Sequence, residues 1–266
     1  MSTSDNIDVV CENLESCKLD VEKKISDEEL FKEPPVANDC PICFIRMPSV
    51  YTGYKYKMCC GKRICSGCIN AVRKRTKKGR SLCPFCRAPT HSSDEELAKR
   101  RKTRIELNDA TAMFNLGVMY YQGTNDYPQD YTKALELWYR SGELGYANAY
   151  NNIGYAYNNG EGVEVDKKKA NHYYELAAIR GDEMARYNLG LEEERVGNMD
   201  RALKHYLIGV KGGDNQSLKQ IRWLYSNGHA TKEDYTTALR SYQEYLGEIK
   251  SKQRDEAAAD DQYRYY

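Results

Sequence analysis

The stretch AYNNIGYAYNNGEGVEVDKKKA, residues 149–170, contains most of a unit that returns along the second half of the chain. An apolar residue followed by glycine recurs at Gly117, Gly154 and Gly190, each time within a run compatible with a helix. Glycine inside a helix costs about 1 kcal/mol relative to alanine. Its return at one position therefore predicts that two helices cross there too closely for a side chain.

A second set of landmarks lies downstream of these runs, where an alanine is followed four residues later by an aromatic residue. The pairs are Ala134 with Trp138, Ala170 with Tyr174, Ala202 with Tyr206, and Ala238 with Tyr242. The alanines are 36, 32 and 36 residues apart, which is the period of a helix pair. We expect the alanine to face the glycine and the aromatic ring to fill the gap towards the next repeat. Residues 108–248 are thus predicted to form an all-α helical-repeat solenoid with a concave face.

The run GEGVEVDKKKA resembles the G-x-G-V-x-x-D-x-x-K-A run of the Sel1-like subclass of tetratricopeptide repeats. The other repeats are degenerate, and the fourth has Arg222 in place of the first-helix glycine, which suits a capping repeat. Gly145, Gly181 and Gly213 are placed to end the second helices. The resemblance implies a groove that binds a protein or peptide substrate, and nothing in the repeats is typical of an acid–base pair or a nucleophile.

Eight of the ten cysteines lie between residues 40 and 86. They form a C-x2-C pair, two adjacent cysteines, and two further C-x2-C pairs. Two intervening residues make a tight turn that directs both sulfurs to one ion, and four pairs suffice for two tetrahedral zinc ions. The sequence shows no secretory leader and no run of about 18 apolar residues. We therefore expect a cytoplasmic or nuclear protein with no membrane partner, whose cysteines are metal ligands and not disulfides.

The strings CPIC, CCGKRICSGCI and CPFCR resemble a RING finger over residues 40–87. In that family the first and third pairs hold one zinc ion and the second and fourth pairs hold the other. The resemblance implies a small α+β zinc-stabilised fold with two structural Zn²⁺ ions. Site one would be Cys40, Cys43, Cys65 and Cys68, and site two would be Cys59, Cys60, Cys83 and Cys86.

The fourth ligand departs from the usual family pattern. Lys62 stands where a histidine is common, and a protonated ammonium has no lone pair for a metal. Cys59 can supply the missing ligand, as in all-cysteine members of the family. The sequence leaves a second arrangement open, in which only one of Cys59 and Cys60 binds and His91 or water completes the site.

RING fingers most often act as ubiquitin ligases, which bind a ubiquitin-conjugating enzyme and ubiquitin. The resemblance implies contact with the conjugating enzyme for Ile42, Val72, Pro84 and Phe85, and a cation that hydrogen-bonds both partners at Arg87. The chain would orient the charged enzyme's thioester without a covalent intermediate of its own, so no residue here would be catalytic. The alternative is a non-catalytic zinc-binding adaptor.

The remaining segments differ in charge. Residues 1–39 carry eleven acidic and four basic side chains and are expected to be disordered, although Ser26 and Glu29 have capping-box spacing for a short helix. Residues 88–107 are predicted to form a basic linker helix capped by Ser93, and 249–266 a disordered tail. The basic residues favour a solvated helix first and an import signal second. Nucleic acid is not an expected partner, because the basic residues are not interleaved with the aromatic side chains on which bases would stack.

Overall fold

The protein is described by a computed structural model over residues 24–35, 38–49, 53–75, 82–90, 93–124 and 126–259. In chain order the elements are α1 (Asp27–Leu30), β1 (Tyr54–Lys57), β2 (Lys62–Cys65), α2 (Ser66–Arg75), α3 (Asp94–Glu106), α4 (Ala110–Gln122), α5 (Tyr131–Glu143), α6 (Ala147–Asn159), α7 (Lys167–Ile179), α8 (Glu183–Arg195), α9 (Met199–Gly212), α10 (Asn215–Ser226), α11 (Lys232–Ile249) and α12 (Lys252–Ala258). None of the helices in these ranges has the length and apolar character needed to cross a membrane.

Helices α4 to α11 form four consecutive pairs, and each pair packs on the next. The predicted helical-repeat solenoid is therefore confirmed. The main core runs through the first three pairs and is rich in small and aromatic side chains, including Ala134, Trp138, Ala170 and Tyr174. Helices α4, α5, α7, α8 and α10 each have an aspartate at the N-cap position, whose carboxylate accepts a hydrogen bond from a backbone N–H.

The recurring glycines lie at the crossings within the pairs. A Cβ atom on Gly117 would lie 2.5 Å from Nε1 of Trp138, and one on Gly154 would lie 2.6 Å from Cδ1 of Tyr174. The close approach is confirmed, but the aromatic ring lies over the glycine of its own pair and not towards the next repeat. The expected second-helix ends at Gly145, Gly181 and Gly213 are also confirmed, since all three residues have positive φ.

The cysteine-rich module is a two-stranded antiparallel hairpin followed by a helix. Strands β1 and β2 pair from Tyr54 with Cys65 to Lys57 with Lys62, and α2 follows β2 directly. The buried centre of this module includes Ile64, Ile69, Met47 and four of the cysteines. Such a small sheet with clustered cysteines is compatible with a metal-binding module.

Residues 24–35 are ordered against the solenoid, which corrects the expected disorder of this part of the acidic lead. Ser26 caps α1 by accepting a hydrogen bond from the backbone N–H of Glu29. Ile25 and Leu30 are buried and join the main solenoid core, so burial of two aliphatic side chains explains why the segment is held. Residues 1–23 and 36–37 of the predicted disordered lead lie outside the described residues.

The predicted disordered tail is also wrong where the structure describes it, because residues 252–258 form α12. Arg254 is 1% exposed, and its guanidinium donates to the carbonyl oxygens of Ile45, Arg46 and Ile249. Ala257 is buried in the centre of the cysteine-rich module. Helix α12 therefore joins the module to the end of the solenoid, while residues 260–266 lie outside the described residues.

Candidate metal centre

The first cysteine set comes from a loop, a strand end and a helix. Its members are Cys40, Cys43, Cys65 and Cys68, whose Sγ atoms all lie within 4.8 Å of one another. The Cys40–Cys68 and Cys43–Cys65 separations are 3.9 and 3.7 Å. Four sulfurs at about 2.3 Å from a tetrahedral ion are about 3.8 Å apart. The set therefore has the dimensions of a tetrahedral metal site.

The second set joins the hairpin turn to a later loop. Its members are Cys59, Cys60, Cys83 and Cys86, and their Sγ atoms also lie within 4.8 Å of one another. Cys60 is 3.9 Å from Cys83, and Cys59 is 3.4 Å from Cys86. Cys59 and Cys60 thus both belong to the same set of four sulfurs. His91, the alternative ligand, lies outside the described residues. The two sets alternate along the chain, and each could hold a metal ion.

Two loops supply cysteines with the same local geometry. The backbone N–H of Phe44 donates to the carbonyl of Cys40 at 2.9 Å, and that of Arg87 donates to the carbonyl of Cys83 at 3.0 Å. Phe44 and Arg87 both have positive φ, 55° and 62°, a conformation that turns the chain back after the second sulfur. The side chain of Phe44 is 77% exposed. Sequence reasoning missed this phenylalanine, although its place after a C-x2-C pair matches that of Arg87.

The turn that carries the adjacent cysteines is held from outside the module. The Lys57 carbonyl accepts the N–H groups of Cys60 and Gly61. Arg104, in the last turn of α3, donates from Nε to the Met58 carbonyl at 2.9 Å and from Nη2 to the Cys59 carbonyl at 3.0 Å. Arg104 was predicted to be one of the solvated charges of the linker helix, and no local sequence signal indicates its contact with the turn.

The predicted linker helix is present as α3, and Ser93 caps it by accepting from the Glu96 N–H at 3.3 Å. It leads directly into the solenoid, where the Tyr56 hydroxyl of the hairpin donates to Asp109 at 2.6 Å. Asp109 is also the cap of the first solenoid helix. Helix α3 and this tyrosine therefore connect site two to the first repeat.

Burial and crowding disfavour the thiolates of the two adjacent cysteines, Cys59 and Cys60, and raise the pKa of both thiols. Burial, with the nearby Cys83, raises the pKa of Cys60 to about 11, against a hydrogen bond from the Lys62 backbone that lowers it. Burial also raises the pKa of Cys59, and its hydrogen bonds with Cys86 and Cys83 act in the same direction. A divalent cation would compensate the charge of four thiolates and would release their protons.

The five residues predicted to contact a conjugating enzyme all lie on the module, but they differ in solvent exposure. Phe85 is 44% exposed and Arg87 is exposed, whereas Ile42, Val72 and Pro84 are half-buried. Ile42 packs against the cysteine core.

Helix α12 packs against one face of α2. It contacts Gly67, Asn70 and Lys74, which share one face of α2. Val72 lies two residues from Asn70 and from Lys74, which places it on the far side of the helix. Helix α12 therefore packs on the side of α2 opposite to Val72.

Fold and geometry together define a helical-repeat protein with a cysteine-rich module whose two cysteine sets could each hold a metal ion. Residues 110–146 and 147–182 each match the family model of the Sel1 repeat. The chain therefore contains Sel1 repeats, as the second repeat's glycine-rich run predicted.

Two curated relatives are similar over short stretches. The ERAD-associated E3 ubiquitin-protein ligase component HRD3B of Arabidopsis thaliana is 35% identical over 89 residues, which cover 33% of this chain and 14% of HRD3B. The E3 ubiquitin-protein ligase GW2 of Oryza sativa subsp. indica is 30% identical over 66 residues, which cover 25% of this chain and 15% of GW2. The chain thus spans about a seventh of the length of these relatives.

Two solved structures resemble the chain. A protective antigen of uropathogenic Escherichia coli with an SLR fold is 27% identical, with a TM-score of 0.48, and the match covers 60% of this chain and 35% of the antigen. A Sel1 repeat protein from Oxalobacter formigenes is 25% identical, with a TM-score of 0.48, and covers 62% of this chain and 69% of its own.

Proposed function

We propose that this protein is a RING-type ubiquitin ligase, with a conjugating enzyme bound to the cysteine-rich module and a substrate or partner protein bound to the Sel1 repeats. The observation that carries the proposal is the alternation of the two cysteine sets, in which the first pair joins the third and the second joins the fourth. The names of HRD3B, a ligase component, and GW2, a ligase, support it. In this proposal the protein acts in the cytoplasm or nucleus.

The ions in this proposal are two structural Zn²⁺, one in each set. Sulfur separations of 3.4–3.9 Å suit Zn–S bonds of about 2.3 Å. Four sulfurs would fill each coordination sphere and leave no position for water or substrate, so the zinc ions would hold the fold and take no part in the reaction. Structural zinc contributes on the order of 10–16 kcal/mol per site at neutral pH, which a module with so small an apolar core needs.

The residues proposed to bind the conjugating enzyme are Ile42, Val72, Pro84 and Phe85. Their side chains would remove apolar surface from water on binding, with the exposed Phe85 losing the most. Arg87 follows the last cysteine, and its planar guanidinium can donate to carbonyl oxygens of ubiquitin and the conjugating enzyme together. Holding the two in one orientation would favour attack of a substrate lysine on the thioester.

An autoubiquitination assay against a panel of conjugating enzymes tests the ligase proposal. We expect activity with at least one enzyme, and a loss of about tenfold or more for Ile42→Ala and for Arg87→Ala, because central contact residues carry most of the energy of an interface. The matched control is Lys62→Ala, since Lys62 is exposed in the same module and should leave activity unchanged. Silence of the native chain across the panel would favour the non-catalytic adaptor.

A further inference from the structure

A furrow on the solenoid between α7 and α9, the second helices of repeats two and three, is occupied by residues 24–35 of the same chain. We call these residues the N-terminal segment. Its short helix α1 contacts α7, and Ile25 and Leu30 are buried in the solenoid core. Pro34 and Pro35 then pass over Gly181 at the end of α7. The segment therefore docks along the furrow as a ligand would.

An aromatic seat lies at the centre of the furrow. The Phe31 ring lies 4.7 Å from the imidazole of His205, measured between ring centroids. Two cations of α9 flank the same ring, with Arg201 Cζ at 5.2 Å and Lys204 Nζ at 5.6 Å from its centroid. A ring in this position gains both burial and cation–π attraction, so the seat selects an aromatic side chain.

Charge complementarity extends along the furrow on both sides of that seat. Arg201 donates to Asp27 at 2.5 Å, and Lys211 pairs with Glu33. Arg201, Lys204 and Lys211 lie on one side of α9, and two of them, Arg201 and Lys211, pair with acidic residues of the segment. Arg201 also pairs with Glu193 of the solenoid at 2.8 Å. The furrow thus presents basic side chains of α9 to acidic residues of the N-terminal segment.

The contacts of the N-terminal segment are those of a detachable ligand. Its helix has four residues, too few to persist in isolation. The carboxylates of Asp27 and Glu33 remain 70% and 68% exposed while paired, and such exposed pairs contribute little stability. Two aliphatic side chains, Ile25 and Leu30, are buried and the Phe31 ring packs against the same cluster, which is typical of short helical motifs bound in grooves.

We propose that the furrow is a receptor for a short motif in substrate proteins with the order aliphatic, acidic, Leu-aromatic, acidic, and that the N-terminal segment is a built-in competitor for it. The claim that the bound protein is a substrate rests on the proposed ligase function; the claim about the furrow does not. Because the segment is tethered to the receptor, its effective concentration is of the order of millimolar. A motif in trans must compete with it.

Fluorescence anisotropy with a labelled peptide KISDEELFKEPP, the sequence of residues 24–35, tests the proposal on the full chain. We expect the peptide to bind a D27R/E33R chain at least about tenfold more tightly than the native chain, because the new arginines would face Arg201 and Lys211, and such like-charge contacts cost more than the weak native pairs contribute, which releases the tethered segment. An L30A/F31A chain, which empties the seat instead, should show the same gain. A peptide with both Leu30→Ala and Phe31→Ala should not bind any chain.

Reversing the receptor provides the specificity test. An R201E/K211E chain should bind the native peptide at least about tenfold more weakly than the D27R/E33R chain does, and should bind a peptide carrying Asp27→Arg and Glu33→Arg more tightly than the native peptide. The matched control is Lys219→Glu on a D27R/E33R background, because Lys219 is exposed on α10 outside the furrow, and it should bind the native peptide like its parent.

Equal affinity of the native and D27R/E33R chains for the peptide would overturn the proposal, as would absence of saturable binding to folded D27R/E33R and L30A/F31A chains. Circular dichroism establishes that each variant is folded. The anisotropy experiment contains no ubiquitin enzymes, so its failure leaves the ligase proposal standing. Conversely, a chain that shows no autoubiquitination but binds the peptide would contradict the ligase proposal and support the proposal for the furrow.

Discussion

Arg104 is the residue through which the solenoid side of the molecule holds site two. Its guanidinium bonds the carbonyls of Met58 and Cys59 at the same time, which fixes the turn that presents two adjacent sulfurs. A lysine has a single point charge and cannot reproduce this planar two-carbonyl contact. The unusual Cys59–Cys60 pair therefore depends on a side chain far away in sequence.

We predict that Arg104→Lys weakens metal binding at site two and leaves site one unchanged. Loss of such supporting contacts typically costs about 10- to 100-fold in metal affinity. Release of one metal ion per chain to a competing chelator should be faster, with the other unaffected. Arg101→Lys is the matched control, because Arg101 contacts Tyr127 and should release metal like the native chain. Identical release from the Arg104 variant would contradict this role.

Asp182 is a helix cap inside the fold, and burial raises its pKa to about 6. Its carboxylate accepts the Ala185 N–H at 2.7 Å, which partly opposes the effect of burial. Since the folded pKa exceeds that of the unfolded chain, the native state binds more protons between these two values. The contribution of Asp182 to stability is therefore greatest below about pH 4 and is lost as pH rises through about 6, by at most about 3 kcal/mol.

We expect Asp182→Asn to gain stability relative to the native chain as pH rises from about 4 to 7. Asparagine keeps the capping oxygen but cannot ionise. Urea unfolding of both chains across this range measures the difference, and metal-ligand protonation, common to both, cancels. A difference that does not vary with pH would show that Asp182 does not titrate in this range.

At the scale of elements, the glycine crossings set the distance between the helices of a pair. A methyl group on Gly154 would lie 2.6 Å from the Tyr174 ring and 3.0 Å from the Ala170 carbonyl oxygen. The second contact is with backbone, which cannot move aside without shifting α7. The regular spacing of the glycines therefore reflects the close packing of paired helices and not a local conformational preference.

Gly154→Ala should destabilise the solenoid by up to about 2 kcal/mol, since overpacking costs about 1–3 kcal/mol and the gain in helix propensity returns about 1 kcal/mol. Gly247 in α11 is the matched control, because a methyl group there would have no neighbour within 4 Å among the described residues. Gly247→Ala should be stabilising by about 0.5–1 kcal/mol. Equal changes in the free energy of unfolding for the two variants, measured by thermal unfolding, would contradict a close helix crossing at Gly154.

The elements that could be predicted from sequence are those whose constraints are local and periodic. The glycine, alanine and aromatic positions recur at the spacing of a helix pair, and each C-x2-C pair indicates its own turn. The contacts of Arg104 and Arg254 and the docking of residues 24–35 could not be predicted. Apart from the Ile249 carbonyl, which lies five positions from Arg254, their partners are carbonyls and side chains more than 40 positions away. A charged residue whose partner is distant backbone has the same sequence pattern as a solvated one.

At the scale of the whole molecule, the cysteine-rich module is held by both ends of the solenoid. Helix α3 and Tyr56 connect it to the first repeat, and α12 connects it to the last. Ser49 adds a contact to Tyr245 of α11 at 2.8 Å. A protein held on the repeats would therefore lie at a fixed position relative to a partner on the module.

The zinc content of the purified full chain, measured by mass spectrometry of the element together with the protein concentration, tests the two interleaved sites most directly. We expect two zinc ions per chain, and one after Cys59→Ala with Cys60→Ala. Replacing Cys11 and Cys17, the two cysteines outside the cluster, should leave two ions bound. One ion in the native chain, or an unchanged content without Cys59 and Cys60, would contradict the arrangement.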